Sequence, residues 1–140
     1  MEYYDIVFEG LSSHRIDSFI SNELNINKTN IINSHFHSPY CGDLEFNENI
    51  VFKELFSYPN TGNMHIAFLQ LDKQYTDIML IISSDENDIE ITLNIEQTQF
   101  TDSDFNNIKA VFKRIKTRYN LKCIYLGDDN TEKEYAILTV

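Results

Sequence analysis

The sequence predicts an α+β protein in which a mainly antiparallel sheet of about five to six strands carries two or three helices. Three observations predict this class. Apolar and polar residues alternate over residues 88–96, an apolar stripe recurs at helical spacing over residues 101–120, and short turns join neighbouring strand patterns. Strands joined by tight turns run antiparallel. At 140 residues we expect a single domain over residues 1–140.

The first two elements follow from local pattern. Residues 3–8 alternate and are rich in β-forming side chains, which predicts a first strand ended by Gly10. Ser12 or Ser13 then caps a helix. The apolar positions of this helix recur at helical spacing and are Ile16, Phe19, Ile20 and Leu24.

Residues 25–60 follow no clear period. Residues 31–36 fit a short strand, and residues 38–43 have the composition of a loop. Residues 49–58 fit either a short helix or a strand, and periodicity does not decide between them. Residues 59–63 are rich in Pro, Asn and Gly and predict a break in the chain.

The middle of the chain predicts three consecutive strands, over residues 65–71, 76–83 and 88–96. Residues 78–82 have no polar member, which predicts a central strand covered on both faces. In the third strand the side chains divide into two sets. The inward set is Ile89, Ile91, Leu93 and Ile95, and the outward set is Asp88, Glu90, Thr92, Asn94 and Glu96.

A helix is predicted over residues 101–120, with Thr101 as N-cap and Asn120 at its end. Asp102 and Asp104 suit the positive end of its dipole. Its apolar stripe consists of Phe105, Ile108, Phe112, Ile115 and Tyr119. Two further strands are expected over residues 121–126 and 134–140.

The charge distribution is uneven. The chain holds 22 Asp and Glu against 11 Lys and Arg, and five of the basic residues lie in residues 101–120. Outside that segment 20 acidic residues face six basic ones, a formal charge of −14. Such a body repels nucleic acid and anionic lipid and attracts basic proteins. We expect the basic side chains of the helix to be solvated and to pair with the acidic strand 88–96 or its neighbours.

The cysteines and the N-terminus indicate a compartment. Two cysteines, Cys41 and Cys123, do not make a disulfide framework, so we expect free thiols in a reducing environment. Residues 1–5 lack a signal-peptide pattern. The longest apolar run, residues 78–82, is far short of the roughly 20 residues that a membrane helix needs. These observations predict a cytoplasmic protein.

Few residues suggest chemistry. His35, His37 and Cys41, with His65 as a further donor, carry atoms that zinc accepts, but their spacing matches no closed zinc motif. Cys41 as a nucleophile would need a base and an orienting group. Acidic pairs at predicted turns lack the tryptophan platforms usual in glycosidases, since the chain has no Trp. We therefore expect a binding protein without a cofactor rather than an enzyme.

In its size, acidity, low glycine content and α+β pattern the chain resembles the small immunity proteins that accompany bacterial polymorphic toxins, many of which are nucleases. The resemblance covers general character without a diagnostic motif, so it assigns no site residues. It implies a protein that binds its cognate toxin and blocks the active site or substrate groove.

The charge pattern indicates which residues contact such a basic partner. The expected contact residues are acidic side chains with two aromatic anchors: Asp85, Glu86, Asp88, Glu90, Glu96, Tyr40 and Tyr58. The protein is expected to be a monomer or weak homodimer. The alternative is a small metal-dependent enzyme or ligand-binding protein that uses His35, His37 and Cys41.

Overall fold

The computed structural model describes residues 1–86 and 88–140 and contains an eight-stranded sheet in the order β3-β2-β4-β5-β6-β1-β7-β8. Neighbouring strands pair antiparallel throughout. The strands are β1 Tyr3–Leu11, β2 Ile31–Ser38, β3 Gly42–Leu44, β4 Asn60–Gln70, β5 Gln74–Ser84, β6 Ile89–Glu96, β7 Cys123–Asp128 and β8 Leu138–Thr139. The α+β class and the antiparallel sheet are confirmed. The expected five to six strands are too few.

In the described residues three α-helices accompany the sheet, besides 3₁₀ turns at Gln97–Gln99 and Lys133–Tyr135. The first, α1, spans Ile16–Ser18 and continues directly as a π-helical turn over Phe19–Glu23. The second, α2, spans Phe52–Leu55, which settles residues 49–58 as a short helix. The third, α3, spans Asp102–Tyr119.

The difference between the expected and the observed number of strands arises mainly in segments without a clear pattern. Within residues 25–60, the short strand that residues 31–36 fit is confirmed and extends to Ser38 as β2, whereas β3 lies partly in residues 38–43, which were expected to be a loop. The break expected at residues 59–63 is wrong, because Asn60 begins β4 and pairs with Ser84. Gly62 is required there by packing, since a Cβ at this position would collide with the ring of Phe36. Of the last predicted strand, residues 134–140, only Leu138–Thr139 forms a strand, which is β8.

All three helices pack on the same face of the sheet. The ring of Phe8 on β1 meets Phe19 at 5.2 Å and Phe112 of α3 at 6.1 Å, both edge to face. On the other half of the sheet, Phe36 packs against Phe52 of α2. The predicted inward residues of β6 and most of the predicted stripe of α3 are buried: Ile89, Ile91, Leu93, Ile95, Ile108, Phe112, Ile115 and Tyr119. One hydrophobic core therefore lies between the sheet and the helices.

The ends of α3 are as predicted. Thr101 precedes the helix in an extended conformation, and its backbone N–H donates to Asp104 Oδ2 at 2.8 Å. Asn120 ends the helix with a φ of 52°, a left-handed conformation that Asn tolerates. The predicted caps of the first helix are wrong, because Ser12 accepts a turn bond from Arg15 and the helix begins only after Arg15.

The basic side chains of α3 do not pair with strand 88–96. Arg118 and Arg114 instead approach the carboxylate of Glu23 at 2.9 Å and 3.6 Å. The physical reason is that α3 covers the inward face of β6, whereas Glu90 and Glu96 point away from it. No helix in the described part of the chain is long and apolar enough to cross a membrane.

Candidate functional site

The face of the sheet opposite the helices, here called the open face, is a broad surface built from strand positions. Among the residues that the structure describes, no α-helix covers it. The strand register aligns one row of side chains across it: His35, Asn63, Ile81, Thr92, Val7, Tyr125 and Thr139. A parallel row consists of His65, Met79, Asn94, Asp5 and Gly127.

Among the described residues, the segment that follows β7 covers the β7 edge of the open face and reaches β1, where Val7 is only 6% exposed. There the segment that follows β7 folds back, and Ala136 lies against the backbone of Gly127. Lys133 in the same segment approaches Glu9 with its Nζ 3.5 Å from Oε1. Strands β2, β4, β5 and β6 carry exposed or half-exposed side chains on the open face.

Two apolar side chains lie in the middle of the open face. Met79 and Ile81 on β5 are 38% and 39% exposed. Residues 78–82 were expected to be covered on both faces, and that expectation is wrong because helices occupy one face only. The alternate residues Ile78, Leu80 and Ile82 are fully buried, as a half-covered strand requires.

The sheet carries negative charge alone. None of the eight described strands contains a Lys or Arg. Seven acidic residues lie in these strands: Asp5, Glu9, Asp43, Asp77, Glu90, Glu96 and Asp128. Because the inward face is apolar, this charge is directed to the open face and to the ends of the sheet.

Most of these carboxylates have local partners, but Glu90 does not. Asp5 accepts from the Asn94 side chain at 2.8 Å, and Asp77 lies 2.5 Å from the His65 ring. Within the described chain Glu90 makes no hydrogen bond or ion pair, and it lies close to the like charge of Glu9. Burial, and then Glu9, raise the pKa of the Glu90 carboxyl. A cation brought to this position would therefore be favoured.

The predicted acidic contacts divide between two ends of the sheet. Asp85, Asp88 and Glu90 line one shallow groove of about 300 Å³. Asp88 is paired with Lys122 there, and its N–H donates to Asp85 Oδ1 at 2.9 Å. Glu86 is exposed in the same turn.

Glu96 lies at the opposite end of β6, six residues from Glu90 and so about 20 Å away at the usual strand rise. Its Oε1 accepts from the hydroxyl of Thr98 at 2.7 Å. A single small contact cannot include both Glu90 and Glu96, whereas a partner that covers much of the open face can.

The two predicted aromatic anchors differ in exposure. Tyr40 lies in the β2–β3 turn and is 93% exposed. Tyr58 is half-buried, and its hydroxyl is enclosed without a hydrogen-bond partner in the described structure. Burial, with a contribution from Tyr40, raises the pKa of the Tyr58 hydroxyl. Ser84 Oγ donates to the Tyr58 carbonyl at 2.7 Å and holds this segment against the sheet, so Tyr58 is not the exposed anchor expected.

The described residues show no geometry that supports the alternative metal site at His35, His37 and Cys41. His35 and His37 are exposed on β2, and their rings approach Asp43 at 3.4 Å and 3.7 Å. Cys41 is an exposed free thiol in the adjoining turn. Over residues 1–86 and 88–140, no three or more His, Cys, Asp or Glu side chains are arranged to hold a metal ion.

Fold and charge together define a small acidic α+β protein with a broad sheet face that no α-helix of the described residues covers. Over residues 2–138 the chain matches the family model described as PABL017 Cdi1I immunity protein, and it belongs to this family. It is thus an immunity protein, which neutralises a cognate bacterial toxin, as the resemblance implied.

One solved structure shares the fold. It is the crystal structure of the toxic C-terminal tip of CdiA from Pseudomonas aeruginosa in complex with immune protein. The TM-score is 0.72 at 11% identity, and the match covers 99% of this chain and 94% of that chain. No curated protein sequence matches the chain.

Proposed function

We propose that this immunity protein neutralises a toxin whose contact surface is basic, and that it does so with the acidic side chains of its sheet. The observation that carries the proposal is the charge of the strands, which hold seven acidic residues and neither Lys nor Arg. A nuclease toxin fits this partner, since a groove that binds phosphate backbones is lined by Lys and Arg. Occupation of such a groove by an acidic protein excludes its substrate.

Acidic and basic residues lie on opposite sides of the sheet, and this separation guides the approach of a basic toxin. Five basic residues lie within α3, which packs on the opposite side of the sheet from the open face. Two of them, Arg114 and Arg118, are already paired with Glu23. A basic toxin that approaches the open face therefore meets negative potential, which raises association rates by roughly 10- to 1,000-fold at low salt.

The proposed contact residues contribute unequally. Glu90 is the strongest candidate, because it lacks a partner in the described chain and lies near Glu9. Asp88 would have to exchange Lys122 for a toxin side chain, so its net contribution is smaller. Asp85, Glu86 and the exposed ring of Tyr40 extend the surface at one end of the sheet, and Glu96 extends it at the other.

The test is the kinetics of association with the cognate toxin, measured by surface plasmon resonance at two ionic strengths. Charge reversal by Glu90→Lys together with Glu96→Lys should slow association and weaken its salt dependence, with a smaller change in dissociation. Single Glu90→Lys is compared with Glu48→Lys, an exposed carboxylate paired with Lys28 outside the strands. Equal effects of the two single reversals, or association that ignores salt, would contradict the proposal.

A further inference from the structure

We infer that the toxin docks on the open face itself, with Met79 and Ile81 as the apolar centre of the contact. This inference rests on the proposed function and assigns the anchor residues of that same surface. It moves the centre of the contact from the acidic turn at residues 85–88 to the middle of the sheet.

The position of the two side chains supports a central role. Met79 pairs across β4 and β6 with His65 and Asn94, which surround it with polar groups. In the same strand Ile81 pairs with Asn63 and Thr92. An apolar centre within a polar rim is the usual anatomy of a protein interface.

An uncharged strip continues from Ile81 across the sheet. The register places Thr92, Val7 and Tyr125 beside it in successive strands, so no charged side chain lies along this line. Val7 is buried, so the accessible members of the strip are Ile81, Thr92 and Tyr125. Acidic residues lie on both sides of the strip, with Asp5 on one side and Glu9 and Glu90 on the other. The open face therefore fits a basic protein that inserts an apolar side chain between two groups of Lys or Arg.

The charges argue against other occupants. A second copy of this chain docked by the same face would bring the acidic groups of both copies together, and no strand Lys or Arg would compensate. Nucleic acid and anionic lipid are repelled for the same reason. The four uncovered strands, β2, β4, β5 and β6, have an area of about 500 Å² at the usual strand spacing and rise, so a standard interface of roughly 800 Å² per partner would cover all of it.

The experiment uses a double variant that combines Met79→Thr and Ile81→Thr, since Thr is well accepted at exposed strand positions. Surface plasmon resonance against the cognate toxin should show dissociation faster by about tenfold or more with nearly unchanged association, because buried anchors act on dissociation and rim charges on association. The matched control is Val51→Thr, which replaces a methyl group by a hydroxyl on a side chain that is 42% exposed just before α2. It should leave both rates unchanged.

The outcomes separate the two proposals. The docking site alone is overturned by one result. In it, binding by the wild type depends on salt, and the Met79/Ile81 double variant still binds with a dissociation rate within about threefold of the wild-type rate. Salt-indifferent binding by the wild type overturns the proposed function. Circular dichroism checks the fold of the double variant. Should it fail to fold, Met79→Gln alone carries the test under the same criterion.

Discussion

Lys73 and Asp104 form an ion pair in which Nζ lies 2.7 Å from Oδ2. Lys73 belongs to the β4–β5 hairpin loop and Asp104 to the first turn of α3, so the pair joins the sheet to the helix layer. Asp104 is buried and also accepts the N–H of Thr101. The pair therefore ties the loop that precedes β5, the strand of Met79 and Ile81, to the start of α3.

This pair predicts a pH dependence of stability. Lys73, and then the Thr101 N–H, hold the pKa of the Asp104 carboxyl below its usual value. A depressed carboxyl pKa stabilises the fold above the unfolded value of about 3.9, and the contribution is lost as the pH falls through the folded value. Asp104→Asn should therefore lower the free energy of unfolding at pH 7 and differ less from wild type at pH 3. Urea denaturation at both pH values checks this, and an equal difference at both would contradict it.

The core between α3 and the sheet predicts a large mutational effect. Phe112 is fully buried against Phe8, so Phe112→Ala should lower the free energy of unfolding by about 3–5 kcal/mol. Lys113→Ala at the neighbouring exposed position should change it by less than about 0.5 kcal/mol. Chemical denaturation measures both. A loss below about 1 kcal/mol for Phe112→Ala would show that this face of α3 is not core.

We expect opposite changes in the free energy of unfolding when Tyr75 and Tyr58 each lose the hydroxyl group. The Tyr75 hydroxyl donates to Asp72 at 2.8 Å, so Tyr75→Phe should lower the free energy of unfolding by about 1 kcal/mol. The enclosed Tyr58 hydroxyl has no partner in the described structure, so Tyr58→Phe should be neutral or stabilising by up to about 1 kcal/mol. A clear loss in Tyr58→Phe would mean that this hydroxyl is satisfied.

The two cysteines predict a simple thiol titration. Cys41 is exposed and Cys123 is buried, and both are free. A thiol reagent should modify one cysteine rapidly in the folded protein and the second only after unfolding. Mass spectrometry of the alkylated, unreduced protein counts the modified sites. Recovery of a Cys41–Cys123 disulfide would contradict both the structure and the expected reducing compartment.

Strong periodicity predicted the parts of the fold that local physics decides. The alternation in residues 88–96 and the stripe of α3 gave the correct buried faces, because one strand or helix determines each pattern by itself. Strand β2 was predicted only as a short strand over residues 31–36, and β3 was not predicted. The pairing of β2 depends on distant residues of β4 and on the packing of Phe36 over Gly62, and β3 in turn pairs with β2. A sequence pattern does not report such contacts.

The sequence indicates the charge of the proposed docking surface but not its proposed apolar centre. The excess of acidic residues outside residues 101–120 anticipated the negative sheet. Met79 and Ile81 were missed because an apolar run at residues 78–82 is compatible with a strand covered on either one or both faces. The available signal was the absence of a second set of helices able to cover the other face.

The most direct measurement of the toxin-binding surface uses the methionine methyl groups. The chain has three methionines, of which Met1 is exposed, Met64 is fully buried and Met79 lies on the open face. With ¹³C-labelled Met methyl groups and a paramagnetic agent in the solvent, the free protein should show relaxation enhancement at Met1 and Met79 and little at Met64. Addition of the cognate toxin should shift the Met79 signal and remove its enhancement, while Met64 stays unchanged. A Met79 methyl that remains as accessible in the complex as in the free protein would contradict docking on the open face.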